Sequence, residues 1–317
     1  MTTAAEGRQA DQPHRPTLGP AHRLLGRFHF SGVIWYRLHY LGAAWVPDWL
    51  QGAGMVLFAR VFVVVLGRIR VALASNLEPV LGPAGRVERW RRAYRTLLSF
   101  AQCATERYRR MAAKAPVQFV VEGEEYWREM VSGGRGAVLV TAHIGIFEAG
   151  AHLGAEHGRR PLHVVREEEI DPRAQAFVRE QMTKAGSHVV THFAGDDMRL
   201  GIELAEALRR GELVALQADR PRAGGRVVPT TIFGRPMPLP VGPAALARAA
   251  GVPLIPTFAF YEGPRRGREV IRAPIVVART ANRDDDLRVA MAQVAREIEW
   301  AIRERPHQWF CFRKLWD

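Results

Sequence analysis

Val138-Leu-Val-Thr-Ala-His143-Ile-Gly-Ile-Phe-Glu148 is the stretch that decides the fold. It begins inside a continuous apolar run, Ala137–Thr141, with no alternation of polar residues. Such a run marks a strand buried on both faces, as in a parallel sheet. The strand leads straight into His143, and a helix is expected from about 147 to 157, stopped by Gly158. A strand-turn-helix unit of this kind belongs to an open α/β sheet. Ligands and reacting groups gather there at the carboxyl ends of the strands.

Working outward, the alternation continues. Strands are expected at 118–122, 162–165, 213–217, 227–233, 254–261 and 269–277. Helices are expected at 172–185, ended by Gly186, and at 198–210, with Asp196 or Asp197 as N-cap and Gly211 past the end. Two more are expected at 243–250, with Pro in its first turn and Gly251 as stop, and at 284–305, ended by Pro306. The fold class is therefore α/β: a mixed, largely parallel central sheet flanked by helices.

Before residue 116 the pattern differs. Residues 1–22 are polar, carry Pro13, Pro16 and Pro20, and read as a disordered tail with no cleavable leader. Residues 23–115 read as a helical, membrane-proximal segment, and 116–317 as the α/β domain. Phe28, Phe30, Trp35, Tyr36, Tyr40, Trp45 and Trp49 alternate with Arg23, Arg27, Arg37 and Arg60. Rings and guanidiniums on the same short helices suit a bilayer interface. No uncharged apolar run reaches 18 residues, and the nearest candidate, 53–67, is interrupted by Arg60.

The chain of 317 residues carries 45 basic and 32 acidic side chains, a formal charge of +13. Only Lys114, Lys184 and Lys314 are lysines. The segment 86–114 holds nine basic and two acidic residues, hence +7 of that excess. It reads as one long helix, with Val87, Trp90, Tyr94, Leu97, Leu98, Ala101, Ala104 and Tyr108 inward and Arg86, Arg89, Arg92 and Arg95 outward. Such a face is either solvated or suited to an anionic partner. The two cysteines, Cys103 and Cys311, form no CxxC pair, and the histidines show no metal-ligand spacing, so no metal or cofactor is expected.

His143 and Glu148 are the candidate catalytic pair. On a regular helix five residues would separate them by about 140°; a turn before the helix, eased by Gly145, would let the carboxylate reach the imidazole. Acyl transfer to a hydroxyl needs such a pair. An alcohol is a poor nucleophile, and an imidazole that takes its proton during attack is worth roughly 10²–10⁴ in rate. The acid fixes the tautomer and stabilises the imidazolium. No GxSxG elbow occurs, which argues against a serine hydrolase.

The segment resembles the HX4D/E motif of the glycerolipid acyltransferases. From about residue 30 onward the chain more closely resembles the late acyltransferases of lipid A biosynthesis, whose relatives include phosphatidylinositol mannoside acyltransferases. Supporting motifs are Arg70 to Asn76-Leu77, Gln217-Ala-Asp219, Gly224-Gly225, Phe233-Gly234, Val241 to Arg248 and Pro306-His-Gln308-Trp309. Departures are Gln217, where the family usually has a second acid, and Phe312, where a histidine commonly precedes paired basics. The resemblance implies His143 and Glu148 as catalytic residues and Arg166 and Asp219 as substrate-binding residues; by position in the sequence Gly145 in the turn and Arg220 beside Asp219 join them as substrate-binding candidates, with Arg222 and His152, one turn beyond Glu148, as weaker ones.

It further implies an acyl carrier protein or acyl-CoA donor and a hydroxyl of a membrane lipid or glycolipid as acceptor. The expected location is the cytoplasmic face of a bacterial inner membrane, peripheral or monotopic, against an anionic lipid surface. Burying a donor chain of ~12 carbons would contribute on the order of 9 kcal/mol. Two other classes stand beside this: a thioester hydrolase at the same dyad, and a non-enzymatic basic binder of membrane or nucleic acid. No nucleic-acid motif supports the last.

Overall fold

The computed structural model describes residues 33–112, 116–150, 160–169, 171–184, 188–193, 198–221 and 224–316. The expected tail at 1–22, the aromatics and arginines up to residue 32, His152, the 158 helix stop, Gly186, Asp196, Asp197 and Arg222 lie outside them.

Among the described residues four helices come first: α1 (Val33–Trp45), α2 (Asp48–Val65), α3 (Gly67–Leu81) and α4 (Arg86–Met111). The α/β part follows as β1 (Gln118–Glu122), α5 (Glu124–Ser132), β2 (Ala137–Thr141), β3 (Leu162–Arg166), α6 (Pro172–Lys184), β4 (Val189–Phe193), α7 (Met198–Arg209) and β5 (Leu213–Gln217). Two small ribbons come next, β6 (Val227–Val228) with β9 (Leu239–Pro240), and β7 (Thr231–Ile232) with β8 (Arg235–Pro236). Then come α8 (Gly242–Ala250), β10 (Leu254–Gly263), β11 (Arg266–Ile271), α9 (Arg283–Glu304) and a 3-10 turn, Pro306–Gln308.

The main sheet has the order β1-β11-β10-β2-β5-β3-β4. β10, β2, β5, β3 and β4 run parallel, whereas β11 is antiparallel to β10. This is the mixed, largely parallel sheet expected. Its strands are short apolar runs because helices cover both faces. One face packs Val138, Val140, Val214 and Phe258 against α7, α8 and α9. The other packs Ala137, Leu139, Leu213 and Ile255 toward α5.

Two strands differ from expectation, and one helix was not expected. The strand read at 227–233 is two short pieces in separate ribbons, because Pro229 cannot donate to a ladder. The strand read at 269–277 begins earlier, at Arg266, and stops before Pro274, leaving one further bridge at Ile275. Helix α5 has no counterpart in the sequence reading.

Helix α4 is the spine of the N-terminal layer. Its inner side packs Ala93 and Leu97 against Ala59, Val63 and Leu73. Arg92 and Arg109, counted in the basic helix, turn inward. Arg92 donates to Leu81 O and Gly82 O at the end of α3, and Arg109 pairs with Glu106 and Asp48. Val87, expected inside, lies outside.

The outer faces of α1 and α2 are apolar. Leu38, Leu41, Trp45, Trp49, Leu57, Val61, Val64 and Val65 are all exposed. Helix α2 is long and apolar enough to cross a membrane, with mean hydropathy 1.5 and only 17% of it buried. It begins five residues before the stretch singled out at 53–67.

Asn76 ties this layer to the end of the chain. Its buried amide donates to Cys311 O (3.1 Å) and Arg313 O (2.8 Å), and its oxygen accepts from Leu315 N (3.0 Å). Asn76→Ala should lower stability by about 2–4 kcal/mol, since it strands these backbone groups in the interior. Urea unfolding checks the size. Hydrogen exchange should show protection lost first at residues 311–316.

Candidate active site

Strands β2 and β5 are parallel neighbours in register, with Thr141 opposite Gln217. The ladder continues one residue past the sheet, where Ala218 N donates to Thr141 O (2.8 Å). Two residues beyond that paired end lie His143 on one chain and Asp219 on the other. Their side chains meet: His143 Nδ1 lies 2.7 Å from Asp219 Oδ1.

Asp219 is wholly buried, whereas the imidazole is 24% exposed. The second carboxylate oxygen accepts from Trp309 Nε1 (3.1 Å). Burial alone would raise the Asp219 carboxyl. The charge and hydrogen bond of His143, then Arg220 and Trp309, outweigh it and hold the group well below the usual carboxylate range. Asp219 is thus an anion, and when the imidazole is neutral an anion that accepts from Nδ1 leaves Nε2 as the lone-pair nitrogen.

The turn carrying His143 is clamped by the end of the chain. Phe310 N donates to His143 O (2.8 Å) and Gly145 N to Gln308 O (2.9 Å). Ile146 N donates to Ala259 O on β10 (2.8 Å). Gln308 also exchanges two side-chain bonds with the Tyr261 backbone. Gly145 has φ +58°, and a Cβ there would run into Ala259 O. It is a shape residue of the turn, which explains the glycine without a substrate contact.

The acid expected on the imidazole was Glu148; the geometry puts Asp219 there instead. Glu148 sits on the helical turn after His143 and faces the N-terminal layer. It pairs with Arg107 of α4 (2.7 Å) and Arg166 of β3 (3.4 Å). The reason is topological. A parallel neighbour delivers its acid beside His143, while a residue five positions along the same chain has been carried away by the turn and the helix.

Arg166 is brought to the site edge through Glu148. Arg220 donates to Phe310 O (3.2 Å) and bears on Asp219 by charge. Of the other histidines, His163 bridges Glu212 and His192 in the sheet. Among the described residues no group of three or more His, Cys, Asp or Glu converges to hold a metal.

Trp309 and Arg107 were missed as site residues. No local signal marks Arg107. The Asp219 pairing did leave a signal. Two five-residue apolar strands each end in an alanine followed by a polar group, AVLVT-AH and LVALQ-AD.

A buried acid and an imidazole meet at the carboxyl edge of a parallel sheet, an arrangement able to supply a general base on an α/β scaffold. The chain belongs to the bacterial lipid A biosynthesis acyltransferase family, whose sequence profile matches residues 24–317. Among curated proteins it is 30% identical to a phosphatidylinositol mannoside acyltransferase of Mycobacterium tuberculosis, over 58% of this chain and 54% of that one. A protein of the same name from Mycolicibacterium smegmatis is 31% identical, over 48% of each chain. The chain thus spans about half the length of the curated relatives it matches. A crystal structure of a 1-acyl-sn-glycerophosphate acyltransferase from Thermotoga maritima aligns with a TM-score of 0.36 and 15% identity, over 80% of this chain and 95% of that one.

Below the helical turn after His143 lies Glu269 of β11. Its carboxyl faces Gly150, where a Cβ would strike Oε2, and that oxygen has no hydrogen-bond partner among the described residues. Burial pushes this acid up to about 8. The folded pKa therefore lies above the unfolded one, about 4.3. Between these values the unfolded chain releases a proton that the folded chain keeps, so stability falls as pH rises. Glu269→Gln should match wild type below about pH 4 and gain on it up to about pH 8. Urea midpoints at several pH values measure the gap.

Proposed function

We propose that the protein transfers a fatty acyl chain from an acyl thioester to a hydroxyl of a membrane lipid or glycolipid. The observation that carries this reading is the chain Trp309–Asp219–His143 at the carboxyl edge of the sheet. His143 Nε2 takes the proton of the acceptor hydroxyl as that oxygen attacks the thioester carbonyl. The carbon–sulfur bond then breaks, and the proton passes to the departing thiolate. Asp219 holds the tautomer and stabilises the imidazolium between these steps. No covalent acyl-enzyme is required, because the thioester is already activated.

The names of the relatives favour a phosphatidylinositol mannoside-type or a lipid A-type acceptor, and in this reading the thioester donor is carried by coenzyme A or acyl carrier protein. Arg86, Arg91 and Arg95 are exposed on α4, a suitable face for either anionic donor. The apolar outer faces of α1 and α2, bordered by Arg37, Arg60 and Arg68, support seating on an anionic bilayer. The cytoplasmic leaflet is where thioester donors are found. Glu148, Arg166 and Arg220 belong to the acceptor side of the site in this reading.

The test is transfer of labelled acyl groups from acyl-CoA and from acyl carrier protein into vesicles of bacterial lipid. His143→Ala and Asp219→Asn should each lower the rate by roughly 10²–10⁴. Glu148→Gln should cost less than either. Label released only as free fatty acid would establish hydrolysis instead. Unchanged transfer in Asp219→Asn would overturn the assignment of its role.

A further inference from the structure

Tyr108 lies near the end of α4, and its ring is locked in place. His39 of α1 stacks on it, with ring centroids 4.3 Å apart, and His39 Nε2 is itself held 3.1 Å from Thr105 Oγ1. Burial brings His39 down to about 4, so the stacked ring is neutral. Only 7% of the Tyr108 surface is exposed.

The phenol sits in charged surroundings. Arg107, Glu148, Glu169 and Arg166 all act on it. These four are engaged with one another or with α1. Glu148 meets Arg107 at 2.7 Å and Arg166 at 3.4 Å. Glu169 lies 3.9 Å from Arg166 and accepts from Tyr36 Oη (2.6 Å). The Tyr108 hydroxyl makes no hydrogen bond among the described residues, nor is it one of the sealed polar atoms of the interior. A phenol this deeply buried ordinarily finds a partner for its O–H. Phenylalanine would fill the same stack, so nothing in the packing calls for the oxygen. Burial pushes the hydroxyl up to about 12, against the pull of Arg107, and it keeps its proton at neutral pH. It is therefore able both to donate and to accept.

We propose that the Tyr108 hydroxyl is a binding contact for the acceptor, hydrogen-bonding a non-reacting hydroxyl of a polyol head group. This rests on the acyl-transfer reading above and names its acceptor class. A neutral group that donates and accepts matches a sugar or inositol hydroxyl, which does the same. A phosphate would call for a cation instead. The position suits a lipid acceptor: Tyr108 stands between α1, whose outer face is apolar, and Glu148 on the turn that follows His143.

The experiment uses the full chain, palmitoyl-coenzyme A, and either phosphatidylinositol mannoside or phosphatidylinositol as acceptor. The vesicles are phosphatidylcholine with phosphatidic acid, neither of which carries a head-group hydroxyl. Tyr108→Phe should raise KM for the acceptor about fivefold, the scale of one net hydrogen bond. It should leave kcat and the KM for palmitoyl-coenzyme A within about twofold of wild type. The melting temperature should stay within about 1 °C, because no bond inside the fold is lost. A hydroxyl that served the fold would lower it.

An unchanged acceptor KM in Tyr108→Phe overturns the inference. A fall in kcat and melting temperature at constant KM overturns it too, as does an equal rise in KM for the donor. Transfer by wild type to other lipids but to neither polyol lipid also overturns it, and leaves acyl transfer standing. A wild-type chain that transfers nothing from acyl-coenzyme A or acyl carrier protein to any lipid overturns the acyl-transfer reading itself.

Discussion

The hydrogen bond from Ala218 N to Thr141 O carries the β2–β5 ladder one residue beyond the sheet, and the site hangs from it. Parallel strands in register leave a sheet side by side and in the same direction. Whatever follows them by the same number of residues stays side by side for a short distance. Here that distance is two residues, and the groups delivered are an imidazole and a carboxylate. The pair needs no special loop to assemble it. The C-terminal segment then fixes the geometry: it pins the His143 turn through Phe310 N and Gly145 N, and takes the remaining carboxylate oxygen with Trp309.

The same economy explains how the N-terminal layer reaches the chemistry. Glu148 leaves the imidazole to Asp219 and binds two guanidiniums, one from α4 and one from β3. Through Arg166, Glu169 and Tyr36 the series runs on into α1. Opposite charges balance along it, and each member is partly shielded, so its effect is to fix positions rather than to add much stability. The apolar helix α1 and the turn that follows His143 are thus joined by a few polar contacts.

Most of the architecture was legible because it is local. AVLVT, LVALQ and the 284–305 periodicity are read within a window of a few residues, and the strands and helix lie where those windows put them. His143 was legible for the same reason, as the group that follows a buried strand. Its partner was not read correctly, because a motif counted along the chain favours Glu148, whereas the contact depends on which strand lies alongside β2. Strand order is a non-local property that no single segment carries. Helix α5 and the inward turn of Arg92 and Arg109 were missed for a related reason. Arginine reads as surface until the carbonyls and carboxylates that receive it are known.

Asp219, not Glu148, is the acid on His143. Proton and nitrogen NMR of histidine-labelled protein tests it most directly, through the tautomer and the hydrogen-bonded Nδ1 proton of His143. With Asp219 on Nδ1, wild type should show a downfield Nδ1 proton and, in the neutral ring, an unprotonated Nε2. That signal should survive Glu148→Gln and vanish in Asp219→Asn. A signal that vanishes with Glu148→Gln and survives Asp219→Asn would contradict it.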